Sequence, residues 1–321
     1  MSSRRRSIAV VWAAATALIL ASAALRSDDQ PKAEKHILAF KFRPNQVLRY
    51  EVVNDAEITT NAKEETEIQR NSTKTKRHMR VGAIDGKTGA ADLELSIDWV
   101  YMRAIWDKRN GTTPVPIEFQ SDDPEKQPPQ FKHILATVGK PWATIRYSPT
   151  GHPEKVVSTA VQPKEGKGVV ASETGADGAL EAQLIVLPKH PVTVGDSWSE
   201  QFDVVTRDGA RNLTKVAIQR SYKLTDVKNG RAAIEMKTAV LTPVNDPAVS
   251  SQLLLREVAG QIVFDVERGV ILSKEWSVEN LVVNALGPNS SMKGKARYTE
   301  KLVGEGDLPE RTVRLDATSK K

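Results

Sequence analysis

The chain has 321 residues, 46 Lys and Arg against 40 Asp and Glu, a formal net charge of +6, 40% apolar residues and no cysteine. Apolar and charged fractions of this order fit a globular protein and exclude a disordered or wholly membrane-embedded one. The missing cysteine excludes disulfides, thiolate metal sites, iron–sulfur clusters, thiol nucleophiles and lipid attachment through an N-terminal Cys.

The first element in chain order is a leader. Ser2-Ser3-Arg4-Arg5-Arg6 is a basic start, Ile8 to Leu20 is apolar apart from Thr16, and Ala21-Ser22-Ala23 supplies small residues. This is the pattern of a secretory signal over 1–23, cut between Ala23 and Ala24. The apolar run is shorter than the ~20 residues of a membrane-spanning helix. Counting on through Leu25 brings it close, so an uncleaved anchor stays the alternative. Removing Arg4, Arg5 and Arg6 with the leader halves the net charge, which weakens any case for nucleic acid or an anionic membrane surface as partner. The mature chain is expected in a periplasmic or extracellular space, with no integral membrane span. Lacking disulfides there, it must be held by its core.

Residues 24–37 read as a flexible tail. Beyond them period-2 alternation dominates. In Ala91 to Tyr101 every odd position is apolar, and the even positions are polar until Val100, as in a half-buried antiparallel strand. Similar runs occur at Val47 to Val53, Ala143 to Tyr147, Ile262 to Val266 and Met292 to Val303. Trp99, Trp142, Trp198 and Trp276 fall in strand-like phases and are expected in the core. Helical spacing is confined to Phe131 to Val138 and Leu180 to Leu187. The expected class is mainly β, with antiparallel curved sheets or half-barrels in two similar halves and one or two short helices.

The halves rest on an internal repeat. Arg77 to Val81, Asp85-Gly86 and Ala91 to Leu95 are matched by Arg220 to Leu224, Asn229-Gly230 and Ala232 to Met236. Each set is a hairpin by its turn chemistry. Thr144 to Gly151 is matched by Gln261 to Gly269, and Pro44 to Tyr50 by Val194 to Trp198. The organisation is then a first half over 38–160, a Gly-rich joint at 161–179, a second half over 180–304 and a C-terminal tail at 305–321. Within the first half, 107–130 is Pro-rich and charged and reads as an exposed loop insertion.

No motif assembles an active site. Gly195-Asp196-Ser197 is similar to the nucleophile block of GDS-type ester hydrolases, but a catalytic His would have to follow the serine, and the last histidine, His190, precedes it. A turn is the simpler reading, and a hydrolase the remote alternative. Gly82 to Thr88 has too few residues between its glycines for a phosphate loop and leads into a strand. His36, His78, His133, His152 and His190 have no metal-ligand spacing, so neither metal nor cofactor is expected. The basic run Arg70, Lys74, Lys76, Arg77 and Arg80 follows Glu57, Glu64, Glu65 and Glu67, and cross-strand neutralisation accounts for it. No aromatic interleaving supports nucleic-acid binding. Two residues stand out. Arg220 lies in phase with Val216, Ile218, Tyr222 and Leu224, and its counterpart Arg77 with Met79 and Val81. An inward guanidinium suits an anionic head group inside a concave sheet. The competing reading is a rim position or a carboxylate pair.

Lys41-Phe42-Arg43-Pro44-Asn45-Gln46 resembles the opening of a planctomycete-rich family of exported bacterial proteins of unknown function. So do Val138 to Pro141 leading to Ser148-Pro149-Thr150-Gly151, and Leu187 to Trp198. That resemblance implies export and a β-rich fold, and no activity. A looser topological likeness is to the half-barrels of periplasmic lipoprotein carriers and lipid-binding envelope proteins, from whose lipidated members this chain departs by lacking an anchoring Cys. The expected function is non-catalytic binding of a lipid or other amphiphile on a concave sheet, with docking onto another envelope protein as the alternative.

Overall fold

The computed structural model of the chain describes residues 34–109, 113–159 and 183–306. The expected leader with its Ala23–Ala24 junction, the joint 161–179, and the tail beyond Gly306 lie outside the described residues. The alternating segments form strands. These are β1 (Val47–Ala62), β2 (Glu65–Ile84), β3 (Ala91–Asp107), the short β4 (Ile117–Gln120), β5 (Pro141–Tyr147) and β6 (Pro153–Thr159). Then come β7 (Ser197–Arg207), β8 (Leu213–Lys228), β9 (Arg231–Val240), β10 (Ala259–Asp265), β11 (Val270–Val283) and β12 (Ser291–Gly306). They share one open antiparallel sheet in the order β6-β5-β3-β2-β1-β12-β11-β10-β9-β8-β7, with β4 paired to β3. Two short helices, α1 (Lys132–Leu135) and α2 (Pro247–Gln252), complete the described elements together with two 3-10 turns.

The repeated segments occupy equivalent places in that order. The meander β1-β2-β3-β5-β6 and the meander β7-β8-β9-β10-β11 run the same way along the sheet, and β12 joins them. The two halves are thus neighbours in a single sheet, sewn along β1 and β12 from Val47 opposite Gly306 to Asn61 opposite Ser291. Turn chemistry fixes the hairpins. Asn229 and Gly230 both have positive φ, at 50° and 72°, as the two-residue type I′ connection between β8 and β9 requires. In the first half Asp85 Oδ1 accepts from the backbone N–H of Lys87 and Thr88, so the phosphate-loop lookalike is a turn.

One apolar cluster joins Ala143, Ile145 and Tyr147 of β5 with Tyr222 and Leu224 of β8. These strands lie almost a full sheet apart, so the sheet curls around a core at this end. Extended segments at 36–42 and 184–192 fill the curl. They are held by His36 N–H to the Val192 carbonyl at 2.7 Å, Phe40 N–H to Pro149 at 2.7 Å and Leu187 N–H to Thr150 at 2.8 Å. Phe40 meets Phe264 edge-on, with ring centroids 5.5 Å apart. Each buried Leu, Ile or Phe side chain here contributes about 1.5–3 kcal/mol. The space left beside Phe40, Tyr50 and Leu184 is about 10 Å³, scarcely room for one water. A second small core, Val216, Ile218, Val249 and Leu253, packs α2 beneath β8.

Four expectations change. Of the helical stretch expected over Leu180 to Leu187, residues 180–182 lie outside the described residues, and Leu184–Leu187 is an extended, buried strap, because its apolar side chains are all consumed in closing the curl. The second helix is instead α2, begun by Asp246, whose side chain accepts from Ala248 N–H, with Pro247 in its first turn. Trp99 is not in phase with Ile97. The β2–β3 register slips there, pairing Arg77 with Ile97 but Lys76 with Trp99, and this bulge at Asp98 moves the indole to the outer face, where it donates to Asp122. The stretch 107–130 holds strand β4, and its Phe119 is buried against Phe131. Ordered pairing also begins earlier than expected, at His36 inside the supposed flexible tail.

Candidate functional site

Just beyond the apolar core, the inner face of the curl carries a layer of charge. Alternation decides which side chains point there. Leu48 and Tyr50 of β1 face inward, Tyr50 is paired with Arg77 of β2, and Val52 with Glu300 of β12. Glu300 is in turn paired with Lys274 of β11. In the second half Arg220 of β8 is paired with Glu200 of β7, and Tyr222 with Trp198. Both arginines singled out in the sequence therefore lie on the same inner layer.

Its centre is Glu300, with a side chain 1% exposed. One oxygen, Oε2, lies 2.9 Å from Arg77 Nη2 and 3.0 Å from Lys274 Nζ, and it accepts from the Tyr298 hydroxyl. Arg77 also donates to Gln183. Arg220 donates to Glu200 at 3.1 Å, and Tyr222 O–H donates to the same carboxylate oxygen at 2.7 Å. Arg77 and Arg220 keep 14% and 18% of their side chains exposed. Aromatic pairs border the layer: Trp276 stacks on Tyr298 with centroids 5.1 Å apart, and Trp198 on Tyr222 at 5.6 Å.

The electrostatics are lopsided. Burial alone would raise the Glu300 carboxyl, but Arg77 and Lys274 hold it down to about 2. Burial lowers Lys274; Glu300 opposes that shift, while the nearby Arg77 and Arg220 cations add to it. Burial likewise raises Tyr50 and Tyr222 above the usual phenol range. Three cations, Arg77, Lys274 and Arg220, thus share the layer with two carboxylates, Glu200 and Glu300. Among the described residues Arg77 Nε, Arg220 Nε and Glu300 Oε1 are buried without a hydrogen-bond partner. Lys274, Glu300 and Glu200 were missed in the sequence, although the signal was the one that flagged Arg220. Lys274 sits in phase with Leu272, Trp276 and Val278, and Glu300 with Ala296, Tyr298 and Leu302.

Elsewhere the charged groups are accounted for locally. On the outer face a groove of about 530 Å³ runs over β3, β2, β1, β12 and β11. Its floor is a cross-strand ladder in which Glu57 takes Arg70 at 2.7 Å and Lys295 at 3.0 Å. Arg80 meets Glu94, and His78 meets Asp98 at 2.7 Å. Asp196 accepts from the backbone N–H and the hydroxyl of Thr193, so Gly195-Asp196-Ser197 is a turn leading into β7. Among the described residues no three His, Asp or Glu converge as metal ligands, and no helix is long and apolar enough to cross a membrane.

The molecule is therefore an open, curled antiparallel sheet with a plugged apolar end and a cation-rich inner layer. The model of a family of unknown function, DUF6263, matches residues 171–271, a span that includes the strap and β7 to β10. A solved structure described as lipid–protein interactions in lipovitellin aligns with 87% of this chain at 13% identity and a TM-score of 0.49. This chain spans only 26% of that one. OccK7 (OpdD) of Pseudomonas aeruginosa aligns over 84% of this chain and 100% of its own, at 8% identity and a TM-score of 0.24. No curated protein matches. Likenesses this distant say nothing of a ligand.

Proposed function

We propose that this chain is an exported, non-catalytic binding protein that holds an amphiphile with an anionic head at the Arg77–Lys274–Arg220 layer. The observation that carries the reading is the charge surplus on the inner face, together with guanidinium N–H groups that have no acceptor there. Buried ion pairs are poor stabilisers, because desolvation offsets most of their attraction. A surplus cation with orphaned donors is costlier still, and a bound carboxylate or phosphate relieves that cost by charge-assisted hydrogen bonds. The plugged end leaves no room for an acyl chain. The apolar part of the ligand is therefore assigned to the neighbouring inner-face strip, where Val52, Ala56 and Ile58 of β1 and Met102 of β3 are only half-buried.

The test is direct. The chain, purified without detergent and then denatured, should release an acidic amphiphile into an organic extract read by lipid mass spectrometry. A folded Arg220→Gln variant should carry several-fold less. A ligand-free extract from well-folded wild-type protein contradicts the reading.

A further inference from the structure

An open sheet has two edges, and here they are built differently. The β6 edge is short, starts at Pro153, carries Glu154 and Lys155, and slips register twice against β5. Those are the devices by which a strand refuses a partner. The β7 edge carries charge too, at Glu200, Asp203 and Arg207, but it is longer and lacks the proline and the register slips. Ser197–Arg207 contains no proline and pairs with β8 in one unbroken register from Ser197 opposite Lys223 to Arg207 opposite Leu213.

The hydrogen-bond phase of β7 can be read from its ends. Asp208 N–H bonds the Asn212 carbonyl, and Leu224 N–H bonds the Asp196 carbonyl. In an antiparallel ladder bonded pairs alternate, so the even residues of β7 bond β8 and the odd ones turn their backbone groups outward. Arg207 confirms the phase, since its outward N–H and C=O are both taken by the Gln252 side-chain amide of α2, at 3.0 Å and 2.7 Å. That cap reaches only one residue. Ser197, Ser199, Gln201, Asp203 and Val205 present a row of N–H and C=O groups with no partner among the described residues.

We propose that β7 pairs with β7 of a second copy, antiparallel about a two-fold axis at Gln201. This register sets Gln201 against its own counterpart, Ser199 against Asp203 and Ser197 against Val205, which adds about ten backbone hydrogen bonds. On the inner face it sets Glu200 against Phe202 and Trp198 against Val204. No like charges stand directly opposite one another, and Glu200 is already neutralised by Arg220. A row offering the same pattern in both directions is self-complementary, as an isologous contact requires. The pairing would join two sheets into one and bring two inner layers side by side.

The chain has no cysteine, so a single introduced thiol reports the register cleanly. Purified Gln201→Cys should form a disulfide-linked dimer under mild oxidation, because bonded antiparallel partners lie ~5.5 Å apart, within disulfide reach. Ser197→Cys should not, as its own counterpart lies far along the axis. Sedimentation of the wild type should show a dimer, and Gln201→Pro should shift it to monomer while keeping the far-UV spectrum, since only an outward N–H is lost. A wild-type monomer at every concentration, equal cross-linking of the two thiols, or a dimer indifferent to Gln201→Pro would each overturn the proposal.

Discussion

Replacing Glu300 by Gln removes the carboxylate that touches both Arg77 and Lys274 and leaves two buried cations facing each other. Two routes give the cost. A carboxyl held at about 2 instead of its ordinary 4.5 contributes roughly 3 kcal/mol of stability. Breaking a buried pair by deleting one partner typically costs about 3–5 kcal/mol. For a chain of this size that lowers the melting temperature by roughly 5–8 °C. The sign with pH follows from the depressed value. The contribution is complete above the unfolded carboxyl's range and is lost as pH falls towards about 2. Thermal melts followed by circular dichroism should therefore show a gap between wild type and Glu300→Gln that is constant from about pH 5 to 8 and narrows on acidification. A variant melting within about 1 °C of wild type at neutral pH, or a gap indifferent to acid, would refute the claim that this layer is desolvated and coupled.

Further outcomes follow from the same geometry. At Gly151, φ is +79° and a Cβ would lie 2.1 Å from the Ile185 carbonyl oxygen, whereas at Gly139, φ is +73° with nothing within 4 Å. In urea unfolding Gly151→Ala should cost roughly 3 kcal/mol or more and Gly139→Ala only about 1–2 kcal/mol; equal costs would mean that the strap does not press on this turn. Trp198→Phe removes the indole bond to the Val186 carbonyl at 2.7 Å, and should cost about 1–2 kcal/mol and speed amide exchange in residues 184–187. Burial raises Tyr50, Tyr147, Tyr222 and Tyr298 above the ordinary 10.0. Since the unfolded phenols ionise first, stability should fall as pH rises past 10, and before unfolding an absorbance titration should see Tyr101 ionise first, although burial and Glu118 raise it as well. Early ionisation of further tyrosines would contradict the closed inner layer.

Much of the fold is legible in the sequence because each rule involved is local. Alternation marks the strands, and Asn-Gly and Asp-Gly mark the turns. The phase of Arg220 against Ile218 and Tyr222 places its side chain inward without any tertiary information. The misses share a different cause. A bulge inserts one residue without a local signal, so Trp99 was assigned the wrong face. Leu184–Leu187 has the composition of a buried helix or a buried strap, and only the curl between β5 and β10 decides which. Glu300 and Lys274 carry the inward-phase signal, yet their partnership depends on β12 lying beside both β1 and β11, a long-range pairing that no short window contains.

The central claim is that the inner layer recognises an anionic head group, and it is tested most directly by titrating the delipidated chain with dodecanoate and, separately, with dodecanol. Trp198 and Trp276 border the layer, so their fluorescence reports occupancy. The account predicts saturable binding of the carboxylate, at least tenfold weaker binding of the alcohol, and loss of that preference in Arg220→Gln, tenfold being about 1.4 kcal/mol. Equal binding of the two amphiphiles, or none of either, would contradict it.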